Sequence, residues 1–205
     1  MKKQFILLLI IVLALVGFFL YKQVVKPQLD NRTVATVVPA TITNETLGFG
    51  FTFPSGEAGF SMIEPPLPEG SVDGLQKIYL IMDTQSYLMY QQGDDAETPP
   101  AVSVFVFTMP DMESADGLDR LGKLKLWAET YSRYSSYALK TSDIETVEMD
   151  GIKAIRYTAE GALYKQQVYL VSYQGNIYMF AGQYINDTDT IRDMYLQLVA
   201  SATFD

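Results

Sequence analysis

The stretch YKQQVYLVSYQGNIYMFAGQYI, residues 164–185, decides how this chain folds. It breaks at Gln174-Gly175-Asn176, a tight-hairpin signal, into two extended runs rich in aromatic and aliphatic residues. In the second run, residues 176–185, Ile177, Met179, Ala181 and Ile185 alternate with Tyr178, Phe180 and Tyr184. Successive side chains of a strand point to opposite faces, so this strand is apolar on both and needs cover on both. Two helices, one on each face of a mostly antiparallel sheet, would provide that cover. The expected fold is therefore of the α+β class, an α/β/α sandwich.

Outward from the hairpin, apolar runs between turn signals place further strands at 49–53, 60–64, 77–82, 86–91, 101–108, 144–149 and 152–159. Their breakers are Glu64-Pro65-Pro66, Gly93-Asp94-Asp95 with Pro99-Pro100, and Met149-Asp150-Gly151. A helix is expected over 118–135, where Leu118, Leu121, Leu124, Ala128 and Tyr131 recur at three- and four-residue spacing. A second is expected over 190–202 on Ile191, Met194, Tyr195, Leu198 and Ala202, with Asp187, Thr188 and Asp189 before it as capping acceptors.

The N-terminal end is of another kind. FILLLIIVLALVGFFLY, from Phe5 to Tyr21, carries no charge, and as a helix it would span about 25 Å, enough for a bilayer core with help from flanking lysines. A cleaved secretory signal needs small residues after the apolar run, whereas here Phe18, Phe19, Leu20, Tyr21 and Lys22 are bulky. The expectation is an uncleaved signal-anchor within residues 1–26, in contact with the lipid bilayer through Phe5 to Tyr21. The C-terminal domain would then lie on the extracytoplasmic side of the cell membrane. Residues 27–43 read as an extended stalk, with an edge strand around Thr36 to Val38 as the alternative, and the globular domain as 44–205.

Charge and composition narrow the function. The chain has no cysteine and no histidine, which removes thiolate chemistry, the commonest general base and the commonest transition-metal ligand. Lys2, Lys3, Lys22 and Lys26 flank the apolar segment and no acid precedes Asp30, so the remainder carries 11 basic against 24 acidic residues, a net of −13. Such a surface repels phosphates, and nucleic-acid binding is not expected. The serine-hydrolase, phosphate-loop and dinucleotide motifs are absent, so an enzyme is not expected.

The opening Gly48-Phe49-Gly50-Phe51-Thr52-Phe53-Pro54, and the ending of two long hairpin strands, a helix and Ser201-Ala202-Thr203-Phe204, resemble the PsbP-like superfamily. This is the fold of the extrinsic photosystem II protein. The resemblance covers about residues 44–205; the segments with Pro65, Pro66 and Pro68 and the acidic loop 93–100 depart from it. It implies an α/β/α sandwich and a binding or assembly role without catalysis, and it supplies no catalytic residues.

Two groups of candidate site residues remain. Asp111, Glu113, Asp116 and Asp119 could offer hard oxygen ligands to calcium, although the EF-hand spacing fails and a solvated loop leading into a helix explains them equally. Tyr164, Tyr169, Tyr173, Tyr178 and Tyr184 could form a partner-binding face, or cover the sheet beneath a helix. No cofactor is expected. The reading is a membrane-anchored extracytoplasmic domain that binds or helps assemble another envelope protein. The alternatives are a small-ligand or carbohydrate-binding sensor, and a hydrolase using carboxylates alone, for which Glu145, Glu148 and Glu160 are available.

Overall fold

A computed structural model describes residues 36–67, 74–91, 98–110 and 116–205. The expected anchor from Phe5 to Tyr21 lies outside the described residues, as do Asp111, Glu113 and most of the stalk. No helix among the described residues is long and apolar enough to cross a membrane.

The first half runs β1 (Val38–Asn44), β2 (Phe49–Ser55), β3 (Phe60–Ile63), β4 (Leu75–Asp83), α1 (Thr84–Gln91) and β5 (Val102–Thr108). The second runs α2 (Arg120–Thr130), α3 (Ser132–Ser135), a 3-10 turn (Tyr137–Leu139), β6 (Glu145–Met149), β7 (Ile152–Glu160), β8 (Lys165–Tyr173), β9 (Asn176–Tyr184), α4 (Thr190–Ala200) and β10 (Thr203–Phe204). All the strands join one sheet in the order β1-β2-β3-β4-β5-β9-β8-β7-β6, with β10 added beside β2. Only β2 and β3 pair in parallel, at a single position.

The double apolar face of β9 is covered as its pattern requires. Tyr178 and Phe180 join Phe49, Phe51 and Tyr195 in one core, under α4, which packs over β2 and β9. Ile177, Met179 and Ala181 join Phe107, Leu124 and Trp127 in a second core, under α2, which packs over β7 and β8. Ile185 falls beyond the strand and is exposed. In β2, Phe49, Phe51 and Phe53 all turn inward, and the Phe49 ring meets Tyr178 at 5.1 Å and Tyr79 at 5.9 Å.

Two local devices set this geometry. At the β8–β9 turn, Gln174 and Gly175 both have positive φ (44° and 77°), the primed turn whose twist matches a hairpin. At Gly182 the absent side chain admits the ring of Tyr195 from α4; the Tyr195 hydroxyl lies 2.9 Å from the carbonyls of Gln167 and Phe180 and donates between them. Tyr195 is fully buried, and burial holds its phenol well above the ordinary tyrosine value.

Three expectations are corrected. Residues 86–91 form the end of helix α1, not a strand, because Asp83 Oδ1 accepts from the Ser86 amide at 2.9 Å and hydroxyl at 3.0 Å and starts a helical turn. The single helix over 118–135 is broken at Tyr131 (φ −102°, ψ 40°) into α2 and α3. Residues 38–43, read with the stalk, belong to β1 and pair along the length of β2, so the folded unit starts at Thr36.

Candidate functional site

The end of the sheet at the β7–β8 turn carries a cleft between two turns. There the 3-10 turn rides over the sheet on buried hydrogen bonds. Ser135 Oγ donates to the Ala128 carbonyl at 2.6 Å, and the Tyr157 hydroxyl donates to the Ser135 carbonyl at 2.7 Å. Burial raises the Tyr157 phenol above its ordinary value, so it stays a donor at physiological pH. Ser136 then takes a left-handed conformation (φ 55°), which aims the 3-10 turn along the sheet and leaves Leu139 52% exposed. From the other side, the β7–β8 turn closes with the Gly161 amide on the Tyr164 carbonyl at 2.9 Å and presents Leu163, 58% exposed.

Between these two supports lies a cleft of about 310 Å³, lined by Leu139, Ala159, Leu163 and Tyr164 with Gln166 and Gln183. The Tyr164 hydroxyl donates to the Thr98 carbonyl at 2.7 Å, tying the turn to the segment before β5. The Gln183 Oε1 accepts from the Ala101 amide at 3.2 Å. The Tyr164 hydroxyl and Gln183 Oε1 are thus engaged within the chain, and Leu139, Ala159 and Leu163 give the cleft an apolar side.

The structure places the sequence candidates unequally. Of the five tyrosines, Tyr169 (7% exposed), Tyr178 (0%) and Tyr184 (4%) are buried and do not form an exposed face. The cause is α4, whose Tyr195 packs edge-on against Tyr169, and whose Arg192 lies over the Tyr184 ring. Tyr173 is half-buried against Phe204, and only Tyr164 reaches the cleft. Among the calcium candidates, Asp119 caps α2, its Oδ1 accepting from the Gly122 amide at 2.7 Å, and Asp116 is exposed. Asp111 and Glu113 lie outside the described residues, and the described residues hold no cluster of three metal-binding side chains.

The carboxylates that a hydrolase would need are each set opposite a cation across a ladder: Glu145 faces Arg156, with which it pairs, Glu148 faces Lys153, and Glu160 faces Lys165. Leu139 and Leu163 were not among the sequence candidates. Their one sequence signal is a lone leucine beside turn residues, too common to select.

The sequence matches no protein-family profile, and no curated protein matches it. Among solved structures, the chain is similar to cyanobacterial PsbP (CyanoP) from Synechocystis. The TM-score is 0.51 at 14% identity, covering 84% of this chain and 95% of that one. A protein from Bacteroides thetaiotaomicron aligns with a TM-score of 0.44 at 9% identity, over 80% of this chain and 48% of that one. The element order, the large antiparallel sheet and the likeness to CyanoP together show a PsbP-like fold.

Proposed function

We propose that this is a non-catalytic, membrane-tethered extracytoplasmic domain that binds a protein partner of the cell envelope, and that the cleft between Leu139 and Leu163 receives an apolar side chain of that partner. The observation that carries the reading is the cleft itself. Two leucines, each more than half exposed, line one depression, and the 3-10 turn that carries Leu139 is fixed by buried hydrogen bonds. Exposed leucines scattered singly mean little, but two that line one concavity give it an apolar wall against which an apolar side chain of a partner can pack. The PsbP-like fold is in keeping with such a role by analogy. The net charge of −13 outside the apolar segment and its four flanking lysines favours a partner with a basic rim. The apolar segment from Phe5 to Tyr21 would keep the domain at the bilayer, where such a partner is met.

A photo-crosslinking residue at position 163, in full-length protein in its native membranes, tests the reading. One specific protein should be captured, and capture should fall when Leu139→Asp is added. Capture of random neighbours only, or capture indifferent to Leu139→Asp, would sink it.

A further inference from the structure

The opposite face of the β7–β8 end carries a second cavity, of about 350 Å³, and this one is polar. Thr158, Glu160, Lys165 and Gln167 line it from β7 and β8, Tyr184 from β9 and Arg192 from α4. Gln167 is nine-tenths buried, yet its Oε1 accepts no hydrogen bond from the chain among the described residues. The backbone oxygen of the same residue is used, by Tyr195, while its side chain is not. A buried amide oxygen without a partner in the chain is a place where a donor from outside it, water or ligand, gains a hydrogen bond.

The surrounding charges say what kind of donor. Lys165 and Glu160 stand directly opposite across β7 and β8, but no ion pair joins them, so both remain available. Arg192 Nε lies 3.4 Å from Asp187 Oδ1, and its guanidinium covers the Tyr184 ring at 5.3 Å. Two cations and two carboxylates therefore line the cavity, which is neutral overall, with the signs interleaved. An ion would meet a like charge as readily as an opposite one, and a zwitterion would need the two signs gathered at separate ends. Hydroxyl groups both donate and accept, and a ligand carrying several of them matches interleaved donors and acceptors without charge. The volume is that of a small-ligand site.

We propose that this cavity binds a neutral polyhydroxylated ligand, a pyranose unit of a carbohydrate. Gln167 Oε1 accepts from a ring hydroxyl, with Lys165 as donor and Glu160 as acceptor to its neighbours. Tyr184 is 4% exposed and covered by Arg192, so recognition rests on hydrogen bonds and not on stacking. The site lies on the other face of the sheet from the Leu139 and Leu163 cleft, so either proposal can fail alone.

Saturation-transfer NMR on the full-length protein in detergent micelles tests it, with methyl β-glucopyranoside, N-acetylglucosamine and a soluble oligomer of the latter as probes. Glutamine and acetate serve as zwitterionic and anionic controls. Transfer to at least one sugar is expected, with none to glutamine or acetate. Gln167→Leu should weaken binding by about tenfold, the loss of one well-made hydrogen bond. It should melt no lower than wild type, because it removes an unpaired buried polar atom. Replacement of the exposed Lys165, Lys165→Ala, should also weaken binding, in a protein with unchanged melting. Preference for the oligomer would assign the ligand to a glycan chain, and preference for the monomers to a free sugar; both support the site. Transfer to no sugar, transfer to a control alone, or sugar binding that survives both variants overturns it.

Discussion

Replacing Gly182 by alanine tests how α4 is locked onto the sheet. A Cβ at this position would stand 2.4 Å from Tyr195 Cγ and 2.5 Å from Cδ1. Relaxed carbon contacts lie at about 3.5–4.0 Å, so the ring must retreat by about 1 Å or more. It cannot rock aside at no cost, because its hydroxyl is held between the carbonyls of Gln167 and Phe180 in a fully buried setting. Overpacking of this kind costs about 1–3 kcal/mol, and the strained hydroxyl adds about 1 kcal/mol. Alanine returns about 0.5–1 kcal/mol of the backbone entropy that glycine loses on folding. The net is a destabilisation of about 1–3 kcal/mol, a fall of roughly 2–12 °C in melting temperature for a domain of this size. Thermal unfolding of the full-length chain, followed by circular dichroism, measures it. A second pair of proteins, carrying Tyr195→Leu with and without Gly182→Ala, completes a double-mutant cycle. Without the ring, alanine should cost little, giving a coupling of about 1–3 kcal/mol. A Gly182→Ala protein that melts within about 1 °C of wild type refutes the reasoning, as does a penalty that persists when the ring is gone.

Tyr195→Phe should cost about 1–2 kcal/mol at neutral pH, read from the urea midpoint, because two buried carbonyls lose a shared donor. The same variant tests pH dependence. The Tyr195 phenol is held well above its ordinary value of 10.0 by burial, so the stability it contributes is present below that value and lost as pH rises past it. The alkaline decline should be shallower in Tyr195→Phe, and an unchanged slope would contradict the assigned burial. Gly175→Ala at the positive-φ turn position should destabilise by about 1 kcal/mol although nothing crowds its Cβ, since the cost is conformational. Leu139→Asp should change stability by less than about 0.5 kcal/mol, being a surface change, and still lower partner capture by the crosslinker at position 163.

Much of the sandwich was legible along the chain, and the places where reading stopped have physical causes. The alternation through β9 announced two buried faces, and the glycines after Asp150 and Gln174 marked the β6–β7 and β8–β9 hairpins. Tyr87, Leu88, Met89 and Tyr90 suit a strand as well as a helix by local preference; the Asp83 cap decided between them. The tyrosines illustrate a different limit. A tyrosine packs with one end dry and one end wet, so its occurrence does not say whether a helix or water lies above it. Tyr169 and Tyr184 went under α4 and Tyr178 packed against Phe49 and Phe204, while the exposed cleft was assembled from leucines on two separate turns. Gln167 was not among the sequence candidates, and only the arrival of α4, with Arg192 beside it and Tyr195 on its carbonyl, sets it in a cavity.

Side-chain periodicity is a property of neighbours along the chain, and it indicated most of the strands, the β6–β7 and β8–β9 hairpins and the need for a helix on each face, while composition alone removed imidazole and thiol chemistry. Which groups end exposed in a cleft or sealed in a cavity depends on contacts between distant segments. Only the packing of α4 and of the 3-10 turn onto the sheet decided that, because burial is fixed by what lies above a residue and not by what stands beside it in sequence.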